Sequence, residues 1–156
     1  MDSKDAALKY LSFRARTCGE VERHLLSKGF DVEEIRQTIE RLKELRYVDD
    51  EDYCVRYLEY AAGKGRGPLR IRRELEEKGV DRETIQIAFE EYETEESDLD
   101  RAKEQAEKIA RGKPVDKKLL ARIGRRLHSM GYPSDVIYQV IGMYMRKSSE
   151  EDEEAF

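Results

Sequence analysis

An all-α fold is predicted for this chain of 156 residues, and three observations predict it. Apolar residues recur at steps of three and four, which lines one face of a helix. No segment alternates apolar and polar residues with a period of two, so no strand is predicted. One pattern of apolar residues and glycine also occurs three times. It reads Leu25, Gly29 and Ile35, then Leu75, Gly79 and Ile85 fifty residues later, then Leu127, Gly131 and Ile137 fifty-two residues beyond that. The match extends outward through Val21, Ile71 and Ile123, and through Ile39, Phe89 and Ile141.

Each copy reads as three helices. The first helices are placed at about 4–15, 50–62 and 99–110. Second helices begin at the Thr17/Glu20 capping box, at Gly67-Pro68 and at Asp116, and end at Gly29, Gly79 and Gly131. Glycine accepts the left-handed conformation that closes a last helical turn. Asp31 (in a capping box with Glu34), Asp81 and Pro133-Ser134 open the third helices. The repeats are therefore placed at 4–48, 49–95 and 96–147. The acidic stretch Glu93–Asp100 reads either as a hinge or as a frayed helix end. Residues 148–156 read as a disordered acidic tail. So small a unit buries little surface alone, so the repeats are expected to lean on one another in an elongated body.

Composition supports thin cores. Apolar residues make up 38% and charged residues 42%, against about 25% charged in a typical soluble domain. No apolar run approaches the ~20 residues of a membrane span, and Met1-Asp-Ser-Lys-Asp5 carries no apolar signal segment. A cytoplasmic location and no membrane partner are expected. Cys18 and Cys54 have no CxxC neighbour and read as reduced, partly buried thiols. A monomer is expected, because no self-complementary apolar face appears. The net charge of −5 hides an uneven distribution: residues 99–147 hold twelve basic and five acidic side chains, and 148–156 hold five acids and no base.

Catalytic and cofactor chemistry is not indicated. His24 and His128 stand beside Leu25 and Leu127 with no acid or cysteine pattern around them. Gly63-Lys-Gly-Arg-Gly67 lacks phosphate-loop spacing and reads as a basic turn. Tyr53, Tyr57 and Tyr60 form a helical stripe, read as core packing or as a protein interface. The expectation is a binding protein, with no enzyme activity, cofactor or metal.

Arginine and lysine recur on the second helices. Arg66, Arg70 and Arg73 in the second copy match Lys118, Arg122 and Arg125 in the third. At 100° per residue they lie away from Ile71/Leu75 and Ile123/Leu127. Lys64, Arg72, Lys117 and Arg126 broaden the patch. Residues 64–73 contain no acid and 108–126 contain only Asp116. A solvated face usually mixes signs, and cations at a helix start oppose its dipole. The pattern reads as an anion-binding surface, with a merely solvated face as the alternative. The acidic third helix of the second copy, residues 81–93, argues against reading duplex bases, so any DNA contact would run through phosphates.

The segment Gly65-Arg-Gly-Pro-Leu-Arg-Ile-Arg-Arg-Glu-Leu-Glu-Glu-Lys-Gly-Val80 resembles the signature of RecX, the regulatory protein of the bacterial recombinase RecA. Val48-Asp-Asp-Glu-Asp-Tyr53, Leu25–Ile35 and, more loosely, Leu127–Ile137 resemble further family segments, so the likeness covers roughly Ala6 to Met145. The resemblance implies tandem three-helix repeats and a non-enzymatic regulator. It implies binding to the RecA filament on DNA and restraint of its recombinase, ATPase and coprotease activities in homologous recombination, DNA repair and the SOS response. The ten basic residues named above would face that filament. Ala61-Ala62 departs from the family's usual arginine there, and the acidic tail is outside its pattern. Opposite charge suggests that the tail folds back on the basic third repeat. A sequence-independent DNA-binding protein acting without RecA, and an adaptor that binds protein alone, are the competing readings.

Overall fold

The structure, a computed structural model, describes residues 1–92 and 96–154, with side chains through residue 149. Among the described residues there are nine helices and no strand. The first repeat holds α1 (Ser3–Leu11), α2 (Cys18–Ser27) and α3 (Val32–Glu44). The second holds α4 (Asp50–Gly63), α5 (Pro68–Glu77) and α6 (Arg82–Glu91), and the third holds α7 (Asp98–Ala110), α8 (Lys117–Ser129) and α9 (Ser134–Glu154). Thr17 and Glu20 form a capping box, and Asp81 and Asp116 cap α6 and α8. Gly29, Gly79 and Gly131 take φ of +87°, +85° and +94°. The next residue's N–H then reaches back to the carbonyl of Leu25, Leu75 or Leu127 at 3.1–3.3 Å.

The chain gathers into two compact units. One comprises residues 1–58 with 73–92. Its core holds Val21, Leu25, Ile35, Ile39 and Leu42, closed by Ala6 and Ala7 of α1. Here the start of α2 meets the end of α5. The Thr17 hydroxyl donates to the Lys78 carbonyl, and the Arg23 guanidinium donates to the Glu77 carbonyl at 2.6 Å. A Cβ on Gly19 would lie 2.6 Å from Gly79 Cα, so only glycine fits there.

The other unit combines 59–72 with the third repeat. Ala102, Ala106 and Ala110 give α7 a small-residue face, on which Ile123, Leu127, Tyr132 and Val140 pack. In this unit the start of α5 meets the end of α8. Gly67 N–H donates to the Met130 carbonyl at 2.7 Å, and Leu69 N–H to Gly131 at 3.0 Å. The buried Tyr132 hydroxyl donates to the Gly65 carbonyl at 2.7 Å. Thr17 and Gly67 are equivalent repeat positions, as are Lys78 and Met130. The same joint is therefore built twice.

Three expectations are corrected. The first helix ends at Leu11 rather than near Ala15, because the Ser12 hydroxyl and N–H turn back onto its last carbonyls. Asp31 accepts from Glu33 N–H, and no box with Glu34 forms. The last helix runs to Glu154, through most of the stretch read as a disordered tail. Residues after Gly142 include no further glycine or proline, and Met, Arg, Lys and Glu are good helix formers. Ala155 and Phe156, like Glu93–Glu95 of the proposed hinge, lie outside the described residues. The rest of that acidic stretch is ordered: Ser97 and Asp100 form the capping box that opens α7.

Candidate nucleic-acid interface

The site begins with a tight turn. At the end of α7, Arg111 takes a left-handed conformation (φ 37°, ψ 51°), Gly112 follows at φ +73°, and Lys113 N–H bonds the Ala110 carbonyl at 2.8 Å. Asp116 then caps α8 by accepting from Leu119 N–H at 2.8 Å. This reversal lays the end of α7 alongside α8. Arg122 and Arg126, one turn apart on α8, share an open hollow with Lys108, Arg111 and Lys113, lined also by Ile109. No carboxylate lines it. Lys108 has an exposed partner in Glu104 at 3.9 Å, a pair worth little in water. Among the described residues, Arg111, Lys113, Arg122 and Arg126 form no ion pair.

Gln105 and Met130 complete the lining. Both touch the basic turn at 63–67: Gly65, at φ +82°, lies against the Gln105 amide, and Gly67 is bonded to Met130. That turn carries Lys64 and Arg66, whose charges stand 5.7 and 5.6 Å from the Tyr60 ring centre. Tyr60 is 53% exposed. Tyr53 and Tyr57 are half-buried and stacked, and the Tyr57 hydroxyl donates to Glu74 at 2.9 Å. The tyrosine stripe is therefore divided between packing and solvent.

The ten basic residues singled out from sequence are not all alike. Arg122 and Arg126 enter the hollow. Lys117, Lys118 and Arg125 are exposed on α8 outside the lining of the hollow, and Lys64 is exposed on the turn. Arg66, Arg70 and Arg72 are half-buried and engaged in contacts. The expected solvent-facing row on α5 fails at Arg70, whose Cβ packs on Gly131 where α5 meets α8. Arg73 is exposed but belongs to the other compact unit. Lys108, Arg111 and Lys113 were not singled out, although they fall in the acid-poor run 108–126.

Other reactive groups are occupied. Burial, with the Asp50 carboxylate adding to it at both, pushes the Cys18 and Cys54 thiols up to about 12. His24 stacks on Tyr10 at 3.9 Å, and burial holds its imidazole below the usual range. Among the described residues, no cluster of His, Cys, Asp or Glu could hold a metal, and no helix is long and apolar enough to cross a membrane.

Models of the first, second and third three-helix domains of RecX match residues 4–42, 49–88 and 95–141. The chain belongs to the RecX family. Proteins named regulatory protein RecX from Oceanobacillus iheyensis and Bacillus subtilis are 33% and 30% identical over 86% and 94% of the chain. The chain spans about half the length of these two relatives, 50% and 56%. The RecX of Mycolicibacterium smegmatis is 32% identical over 95% of this chain and 82% of its own length. A crystal structure of RecX from Lactobacillus salivarius superposes with a TM-score of 0.80 at 28% identity, covering 91% of this chain and 94% of that one. A second RecX crystal structure, at 23% identity and a TM-score of 0.75 over 88% and 69% of the two chains, shares the fold. In RecX terms the hollow belongs to the third domain, and the turn at its edge comes from the second.

Proposed function

We propose that this chain is a non-enzymatic regulator that binds a RecA filament on DNA and restrains its recombinase, ATPase and coprotease activities. The repeats at 4–48, 49–95 and 96–147 are the binding body, acting as a monomer in the cytoplasm. Membership in a family of regulatory proteins supports the reading, and the basic hollow between the end of α7 and α8, whose lining holds no carboxylate, carries it. A nucleoprotein filament presents phosphates to such a surface. Lys64, Arg73, Lys117, Lys118, Arg122, Arg125 and Arg126 supply exposed cations. Arg66, Arg70 and Arg72 act from half-buried positions that also hold the fold.

The test is ATP hydrolysis by RecA on single-stranded DNA while this protein is titrated in. A fall in rate at amounts well below one per RecA is expected. Reversal of Lys118, Arg122, Arg125 and Arg126 to glutamate should abolish the fall while leaving the circular dichroism spectrum intact. An unchanged rate across the titration removes the reading. The alternative, a sequence-independent DNA-binding protein acting without RecA, is favoured by the convergence of cations on one hollow. It predicts DNA binding with no effect on hydrolysis.

A further inference from the structure

We propose that the hollow between α1 and the end of α2 is a docking site for a protein partner, and that it takes an acidic peptide segment carrying one aromatic side chain. The site lies in the first repeat and needs neither the basic α7–α8 surface nor the recombinase.

Three features carry it. First, the end of α2 is the uncovered one of three equivalent helix ends. Those of α5 and α8 are each covered by the start of the preceding second helix, through Thr17 on the Lys78 carbonyl and Gly67 on the Met130 carbonyl. Lys28 and Gly29 are the matching residues of the first repeat. Among the described residues no donor reaches the Lys28 carbonyl, and a Cβ on Gly29 would meet nothing within 4 Å. Second, beside this bare end Ala6, Tyr10, Phe13 and Phe30 line a hollow of about 330 Å³, roomy enough for one aromatic side chain. Phe13 is 75% exposed, and Met1, also in the wall, is 81% exposed. Apolar surface left this open marks an interaction site. Third, Lys9, His24 and Lys28 stand in the same wall with no carboxylate among them. Lys9 and Lys28 form no ion pair among the described residues. An apolar hollow with a cationic rim complements an aromatic anchor flanked by acids. A main-chain N–H of such a segment completes the Lys28 carbonyl, as Thr17 and Gly67 do for its equivalents. A nucleic-acid strand fits less well, because its bases need bare ring faces and its phosphates a cationic track. The Tyr10 ring is already taken, by His24 stacked at 3.9 Å and by the Arg16 guanidinium at 4.2 Å. Arg16 is itself shared with Glu20.

The experiment is fluorescence anisotropy of the intact chain with a labelled peptide of about ten residues, aspartates and glutamates around one central phenylalanine. It should bind with roughly micromolar affinity at low salt. Replacing its phenylalanine by alanine should weaken binding at least about tenfold, and so should replacing its acids by asparagine and glutamine. In the protein, Lys9→Glu combined with Lys28→Glu should also weaken binding at least about tenfold. Phe13→Ser should do the same without lowering the melting temperature, because Phe13 is mostly exposed, which separates the site from folding. Reversing Arg122 and Arg126 in the other compact unit changes net charge equally and should leave the peptide bound as in the parent.

No binding at low salt, an alanine peptide that binds equally well, or equal losses from the two double reversals overturns the proposal. So does an oligothymidylate that displaces the labelled peptide as well as unlabelled peptide does, since the hollow would then serve a strand. A chain without residues 148–156 that binds the peptide at least about tenfold more tightly overturns it too, because the hollow would then be filled by the chain's own acidic segment.

Discussion

Alanine at Gly131 should destabilise the fold far more than alanine at Gly29, although the two glycines end equivalent helices with nearly the same φ. Left-handed strain, about 1 kcal/mol for a residue with a Cβ, is common to both. Their surroundings differ. A Cβ on Gly29 meets nothing within 4 Å, whereas on Gly131 it would stand 2.5 Å from the Arg70 amide nitrogen and 2.4 Å from Arg70 Cβ. Ordinary contact lies near ~3.5 Å, so the first turn of α5 must withdraw by about an ångström. That strains or breaks the bonds from Gly67 to Met130 and from Leu69 to Gly131. At about 1 kcal/mol for each bond, and about 1 kcal/mol more for overpacking, Gly131→Ala should cost about 4 kcal/mol against about 1 for Gly29→Ala. Urea unfolding followed by circular dichroism measures both. In a chain of this size each kilocalorie should lower the melting temperature by about 2–4 °C. A Gly131→Ala chain no less stable than Gly29→Ala would show that the backbone contact at α5 does not hold the unit together.

Three further outcomes follow from particular contacts. Tyr132→Phe removes the donor to the buried Gly65 carbonyl and should cost about 1–3 kcal/mol; an unchanged melting temperature would mean that water replaces the hydroxyl. The Asp81 carboxyl is held below its ordinary 3.8, chiefly by the Thr84 backbone N–H. Its contribution is full above the unfolded value and lost as pH falls through the lower folded one. Between about pH 5 and about pH 3 the parent should therefore lose more thermal stability than Asp81→Asn, and equal losses would contradict the cap. With both thiols pushed up to about 12, the native chain should react slowly with a disulfide reagent near neutrality and fully after unfolding. Rapid native labelling would contradict their burial.

The helices, and most of their ends, were legible because their causes are local; the ends of α1 and α9 were not. Apolar spacing, the three closing glycines, and the caps at Thr17, Asp81 and Asp116 act within a few residues. The basic hollow was legible only in part. Arg122 and Arg126 could be chosen from their repeat positions, but Lys108, Arg111 and Lys113 join them only because the α7–α8 turn folds back. The sole sequence trace of that was the near absence of acids from 108 to 126. Arg70 was misjudged for the opposite reason. An angular argument treats a helix as alone, and the surface that holds Arg70 lies sixty residues away at Gly131. In the same way, apolar patterning could not reveal that α9 runs on through an acidic segment, since helix propensity there needs no buried face.

The paired joints give this architecture a way to lengthen. Each of α2 and α5 begins with a small residue that donates a hydrogen bond, Thr17 or Gly67, and ends on a turn of the kind that receives one, at Gly29 or Gly79. Plug and socket are thus written on a single helix of about ten residues. A duplicated gene segment that contains such a helix arrives with both halves of its interface already cut, so a new copy can dock before selection has altered any of its residues.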